Sequence, residues 1–205
     1  MIQIVIDIDG VVGEGNNTVI AIKEKVVPYS GMEINVIVNI RSTGGLLDEA
    51  LKIYDYLNWL GKLEGVTVET RCFGYVASCG TIIAQGATEG HRGISKNSLY
   101  LIHCSTCDVE NETYIGLGKM RDTLMLKDEF ISKIYAQHSK GVLDQKAVIE
   151  IMEENEGAGY WQDPHEVVEH GLADFIFDAD EELEKLETPK QGLFYKIKKF
   201  FGYGR

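Results

Sequence analysis

The chain has 205 residues, 44% of them hydrophobic and 25% charged, which is the composition of an ordinary soluble globular protein with one sizeable core. Disorder, a collagen-like fibre and a transmembrane bundle are excluded by that balance. Twenty Lys and Arg against 32 Asp and Glu leave a formal charge of -12, which repels a phosphate backbone, so nucleic acid is not an expected partner.

The opening MIQIVIDIDG alternates Ile2, Ile4, Ile6 and Ile8 with Gln3, Val5, Asp7 and Asp9, the period-two pattern of a half-buried strand. It lacks the basic start and small-residue cleavage site of a secretory signal, and a cytoplasmic location is expected. A glycine-rich turn over 10–17 precedes a short helix within 18–30. The β-branched run INVIVNI (34–40) reads as a central strand, and the Gly44-Gly45 turn leads into an amphipathic helix through Leu47, Ala50, Leu51, Tyr54 and Leu57, stopped by Gly61. VTVETRC (66–72) is a further strand, Gly74 opens a turn, and ASCGTIIAQGA (77–87) is a small-residue helix.

SLYLIH (98–103) is the next strand, and from Glu112 to Lys140 a long helical pattern runs through Ile115, Leu117, Met120, Leu124, Ile131, Ile134 and Tyr135. A shorter helix covers Asp144 to Glu154. Asp163-Pro164-His165-Glu166 is a capping box with proline at the first helical position, closed by Gly171, and ADFIF (173–177) is a last strand. Strands alternating with helices predict an α/β domain over 1–177 with much parallel pairing. From 178 to 205 an acidic run gives way to a basic segment with Leu193, Phe194, Ile197, Phe200 and Phe201 on helical spacing. It reads either as a membrane-touching or partner-docking helix or as a tail packed on its own oligomer.

Three segments bear chemistry. In GYVASCGT, Ser78 stands between a predicted strand and a predicted helix, where unpaired N–H groups and the helix dipole stabilise an oxyanion; the same position also suits a plain N-cap. His103 ends an apolar strand, from which an imidazole can enter a crevice. The paired glycines of RSTGG (41–45) let backbone N–H groups turn toward a ligand.

In this order, RSTGGLLDEALKIYDYL, GYVASCGTIIAQGA, NSLYLIH and the later WQDPHEVVEHGLAD resemble the proteolytic subunit of the Clp protease and its phage-encoded relatives, over roughly residues 34 to 177. The resemblance implies a ClpP/crotonase-type spiral of β-β-α units with a projecting handle helix (about 112–140). It also implies a homo-oligomeric ring, a heptamer or double ring. It further implies a serine endopeptidase acting on peptide or protein substrates with no cofactor and no metal. Ser78 falls on the nucleophile, His103 on the general base, and the backbone N–H groups of Gly45, Gly44 and Cys79 on the oxyanion hole. An ATPase or a capsid-assembly partner, and a role in phage head maturation, belong to the same expectation.

The sequence departs from that pattern at the third triad position, which holds Gly159 when the chain is aligned on GLAD; Glu156, Glu154 and Asp163 are candidates to replace the acid. The pair Cys104 and Cys107 lacks the second pair that would complete a zinc site. Rival readings are a ring-forming scaffold that has lost peptidase function, a crotonase-type acyl-CoA enzyme, and a haloacid-dehalogenase-type phosphatase using Asp7 and Asp9 of IVIDIDGVV. Strand alternation makes those two acids polar-face residues of an edge strand.

Overall fold

Strand β1 (Ile2–Val12) buries Ile4, Ile6 and Ile8 and turns Gln3, Val5, Asp7 and Asp9 outward, as its alternation predicts. It lies at the sheet edge, parallel to β2 (Ile34–Gly45) from Ile2↔Ile34 onward. The computed structural model describes residues 1–179, so all but the first two residues of the acidic-then-basic tail lie outside the described residues. A seven-stranded sheet runs β1-β2-β3-β4-β7, with β3 spanning Val66–Ala77, β4 Arg92–Ser95 and β7 Phe175–Phe177. Strand β5 (Leu99–Ile102) pairs with β3 and with β6 (Tyr160–Gln162), and β5–β6 is the antiparallel pairing in an otherwise parallel sheet. The mixed α/β architecture expected from the alternation of elements is therefore present.

Two glycine-bearing turns prove to be strand. β2 continues through Ser42 to Gly45, and β3 runs through Gly74 to Ala77, because each strand changes partner or register instead of ending. Below Gly74, β3 pairs with β4 over Thr70–Cys72; above it, with β5 over Tyr75–Ala77. Gly74 supplies the bend with a positive φ of 58° that a side chain would resist. Strands β4 and β6 were not foreseen: each is only three or four residues long and is held by partners distant in the chain.

Helices α1 (Val19–Val26), α2 (Leu47–Leu60) and α3 (Cys79–Ala84) bury Ile22, Ile53, Leu57 and Ile83 in the same core as Ile6, Val38, Val68 and Ile94 of the sheet. The long helix α4 (Tyr114–His138) is different. Its buried residues are Ile131, Ser132, Ile134 and Tyr135, all in its last turns, whereas Tyr114, Ile115, Leu117, Met125 and Leu126 are exposed. It thus projects as a handle from an anchored end. Helix α5 (Gln145–Gly157) unwinds at Glu154, Asn155 and Glu156, and α6 (Pro164–Glu169) begins with both hydrogen bonds of the Asp163–Glu166 capping box.

At the C-terminal edge of the core, Arg92, 4% exposed, makes a two-pronged ion pair with Asp174 and also donates to Gln85. Burial pulls the Asp174 carboxyl upward, but the hydrogen bonds from Arg92 prevail and bring it down to about 2. Beside them His138 shares a hydrogen bond with Tyr54 Oη at 2.8 Å; burial first, and the Arg92 charge second, push its imidazole down to about 4.

Candidate active site

Ser78 joins β3 to α3 with φ 54° and ψ -125°, a backbone conformation that L-residues adopt only when the surroundings enforce it. The surroundings are visible. The Ser78 N–H donates to Leu101 O at 2.9 Å, Thr81 N and Thr81 Oγ1 both donate to Ser78 O, and Thr81 Oγ1 is bonded in turn to Tyr135 Oη of α4 at 2.7 Å. Both Thr81 and Tyr135 are fully buried, so the turn is braced from the core and from the handle. Although Ser78 occupies the N-cap position, its hydroxyl makes no capping bond. The plain N-cap role is not realised, and Oγ is left for other work.

His103 follows β5 directly. The β3–β5 ladder, Ala77↔Leu101, sets it beside the nucleophile turn, and Ser78, Cys79, Gly45 and His103 line one cavity of about 230 Å³, closed on its far side by Lys127 and Ile131 of α4. No hydrogen bond joins Ser78 to His103 among the described residues, a looseness common in active sites without substrate. The Nδ1 atom of His103 lies 2.6 Å from the carbonyl oxygen of Cys104. A carbonyl cannot donate, so Nδ1 carries a proton, and in the neutral ring this bond selects the tautomer with its lone pair on Nε2, the one a general base requires.

The glycines of RSTGG close the cavity roof. A Cβ at Gly44 would stand 2.7 Å from Ser78 Cβ and 3.0 Å from Ser78 Oγ, and one at Gly45 would stand 2.3 Å from Val12 O. Both positions therefore need glycine. The Gly44 N–H donates to Ser42 Oγ at 3.1 Å, so of the three expected oxyanion donors this one is engaged elsewhere. The Cys79 thiol donates to Gly45 O at 3.2 Å, tying the two oxyanion loops together; burial chiefly raises its pKa and keeps it protonated. The Cys79 N–H opens α3, where no carbonyl of the helix itself can accept it.

No acid reaches His103 from the candidate positions. Asp163 accepts from His165 N and Glu166 N as the helix cap, and Glu154 and Glu156 are exposed on the unwound last turn of α5, Glu156 with a left-handed φ. Gly159 has φ 67°, and a Cβ there would lie 2.1 Å from Ile102 O. Cys104 and Cys107 are free thiols, and among the described residues no group of three His, Cys, Asp or Glu is placed to hold a metal ion. Burial, then the nearby Asp128 charge, push Cys104 up to about 11. Sequence reasoning did not assign roles to Thr81, Tyr135 or the Cys104 carbonyl. For Tyr135 a signal existed, since a buried tyrosine must find a partner for its hydroxyl.

Asp7 and Asp9 do not line this cavity and stand on the exposed face of β1. Asn39 donates to Asp7, and Arg41 forms an ion pair with Asp9 at 2.6 Å that lowers the pKa of the Asp9 carboxyl. A larger groove of about 680 Å³ between α1 and α2, lined by Val26, Tyr29, Tyr56 and Trp59 among others, includes neither Ser78 nor His103.

The family model described as Clp protease matches residues 26–180. The chain belongs to the Clp protease family. Among its relatives, the ATP-dependent Clp protease proteolytic subunit of Streptococcus uberis is 29% identical over 144 residues, 69% of this chain and 68% of that one. Proteolytic subunit 1 of Salinibacter ruber is 25% identical over 149 residues, 73% of this chain and 58% of that one, and the Deinococcus radiodurans subunit is 27% identical over 143 residues, 70% and 65%. Membership of the Clp protease family makes this a ClpP-like peptidase fold and sets the phosphatase reading of Asp7 and Asp9 aside. Among the described residues no helix is long and apolar enough to cross a membrane.

Proposed function

We propose that the chain is a serine-type endopeptidase that cuts peptide bonds with Ser78 as nucleophile and His103 as general base. The observation that carries this reading is the pairing, in one cavity, of a serine hydroxyl freed from capping by a positive φ with a histidine whose Nε2 lone pair is kept available by the bond at Nδ1. His103 Nε2 takes the Ser78 proton as Oγ attacks the scissile carbonyl. The resulting oxyanion is met by the N–H groups of Cys79 and Gly45, and collapse expels the amine, which receives the proton from His103. Water, deprotonated by the same imidazole, then releases the acyl group and restores the serine.

Assembly into a ring around an enclosed chamber, an ATPase or capsid-assembly partner, and a phage head-maturation setting are part of this proposal and rest on family likeness. The exposed apolar side chains of the handle, Leu126 and Phe130 among them, support self-assembly through α4. A second reading, a ring-forming scaffold without peptidase function, is favoured by Gly159 and by the missing Ser78–His103 bond.

Labelling with a fluorophosphonate, located by peptide mapping, decides between them. Modification at Ser78 that disappears in Ser78→Ala and in His103→Ala is the expected result. A folded, assembled sample that stays unlabelled would leave the scaffold.

A further inference from the structure

His103 has no carboxylate against its ring, yet one reaches it at one remove. The Cys104–Ser105 peptide accepts from His103 Nδ1 through the Cys104 oxygen at 2.6 Å, and its own N–H, on Ser105, donates to Asp128 Oδ1 at 2.7 Å. The two bonds sit on opposite ends of a single resonant amide. A carboxylate pulling on the N–H shifts electron density toward the oxygen, which makes that oxygen a stronger acceptor for the imidazole proton. Cys104 itself is held on either side of its Cα: its N–H donates to Gly157 O at 3.1 Å, and its Sγ to Met152 O at 3.4 Å.

We propose that Asp128, on the handle helix, is a positioning residue of the catalytic centre, its charge relayed to His103 through the Cys104–Ser105 peptide where the family pattern would set an acid directly against the ring. The proposal rests on the serine-peptidase reading of Ser78 and His103. In the catalytic cycle His103 becomes positively charged, and an anion about two hydrogen bonds away stabilises that state more than the neutral one. Other charged groups around the loop are Asp122 and Glu129 of α4 and Glu153 of α5, which line the cavity behind Cys104, and Lys127, which lines the Ser78 cavity. Asp128 is distinguished from them by a direct bond to the bridging amide. The arrangement also explains how Gly159 is tolerated: the imidazole has its orienting partner without a side chain from β6 or the turn before it.

The test compares wild type with Asp128→Asn, Asp128→Glu and Asp128→Ala in the full chain. Asparagine still offers an oxygen to the Ser105 N–H but carries no charge, so it separates electrostatic support from mere loop holding. Two readouts are taken: the second-order rate of Ser78 labelling by a fluorophosphonate, and the proton resonance of His103 Nδ1–H, which requires no activity. Asp128→Asn is expected to slow labelling about tenfold and to move the resonance upfield, with Asp128→Glu restoring part of both. Wild-type rate and an unmoved resonance in Asp128→Asn would overturn the proposal, as would a loss seen in Asp128→Ala alone. If wild type itself fails to label, the peptidase reading falls, and the resonance still decides whether Asp128 acts on His103.

Discussion

A side-chain carbon at Gly159 would stand 2.1 Å from the carbonyl oxygen of Ile102, the residue immediately before His103. The position is thus closed to an acid by backbone, not merely lacking one. Gly159 N also donates to Glu154 O at 2.9 Å, and Asn155 Nδ2 donates to Gly159 O at 2.8 Å, so the turn is fixed from both directions.

Rebuilding the triad by Gly159→Asp is therefore expected to fail. The substitution forces a side chain onto φ 67° and into Ile102 O, costing roughly 3 kcal/mol or more of stability and displacing His103. Urea denaturation followed alongside fluorophosphonate labelling checks this, and a stable Gly159→Asp protein with faster labelling would show that the turn relaxes more readily than its contacts indicate.

Gly44→Ala tests the other wall of the site. Its methyl group would lie within 2.7 Å of Ser78 Cβ, at a φ of 112° that alanine resists, so the nucleophile must move by a fraction of an ångström or more. Labelling of Ser78 is expected to fall about a hundredfold, while the far-ultraviolet circular dichroism stays that of wild type.

The buried end of the sheet predicts a pH dependence independent of activity. His138 is held down to about 4 in the folded chain, by burial foremost, whereas in the unfolded chain it titrates near its ordinary value of 6.5. Below pH 6.5 the unfolded state therefore binds a proton that the folded state refuses, and stability present above 6.5 is lost as pH falls toward 4. Melting temperatures measured from pH 8 to pH 4 should decline through that window, and His138→Gln should flatten the decline.

Much of the fold was legible because its signals are local. The Asp163–Glu166 capping box needs only four consecutive residues, and both of its bonds form. The alternation of Ile2 to Ile8 likewise specifies a strand with one dry face, whatever lies beside it. Gly44 and Gly74 misled for the opposite reason. Whether a glycine ends a strand or bends it depends on partners from elsewhere in the chain, here β1 for Gly44 and the exchange of β4 for β5 at Gly74. At the candidate site, residue type and order singled out Ser78 and His103, which line one cavity. The acceptor at Nδ1 could not be read, because a main-chain oxygen is present at every position and leaves no mark in the sequence.

Strands β3 and β5 carry a mechanical consequence for the cavity at their ends. Ser78 and His103 continue neighbouring strands beyond the pairs Tyr75↔Leu99, Val76↔Tyr100 and Ala77↔Leu101, and the Ser78 N–H itself closes onto Leu101 O. The gap between the two backbones is consequently one inter-strand spacing, about 4.8 Å, and widening it would rupture a hydrogen-bonded ladder. The parts left free to turn are the serine and imidazole side chains and the segment after His103 that meets the handle. Any adjustment of the cavity would act as a key turning in a fixed lock, by torsion at χ1 and in the 104–107 loop, and amide exchange across Tyr100–Ile102 should stay equally slow before and after it.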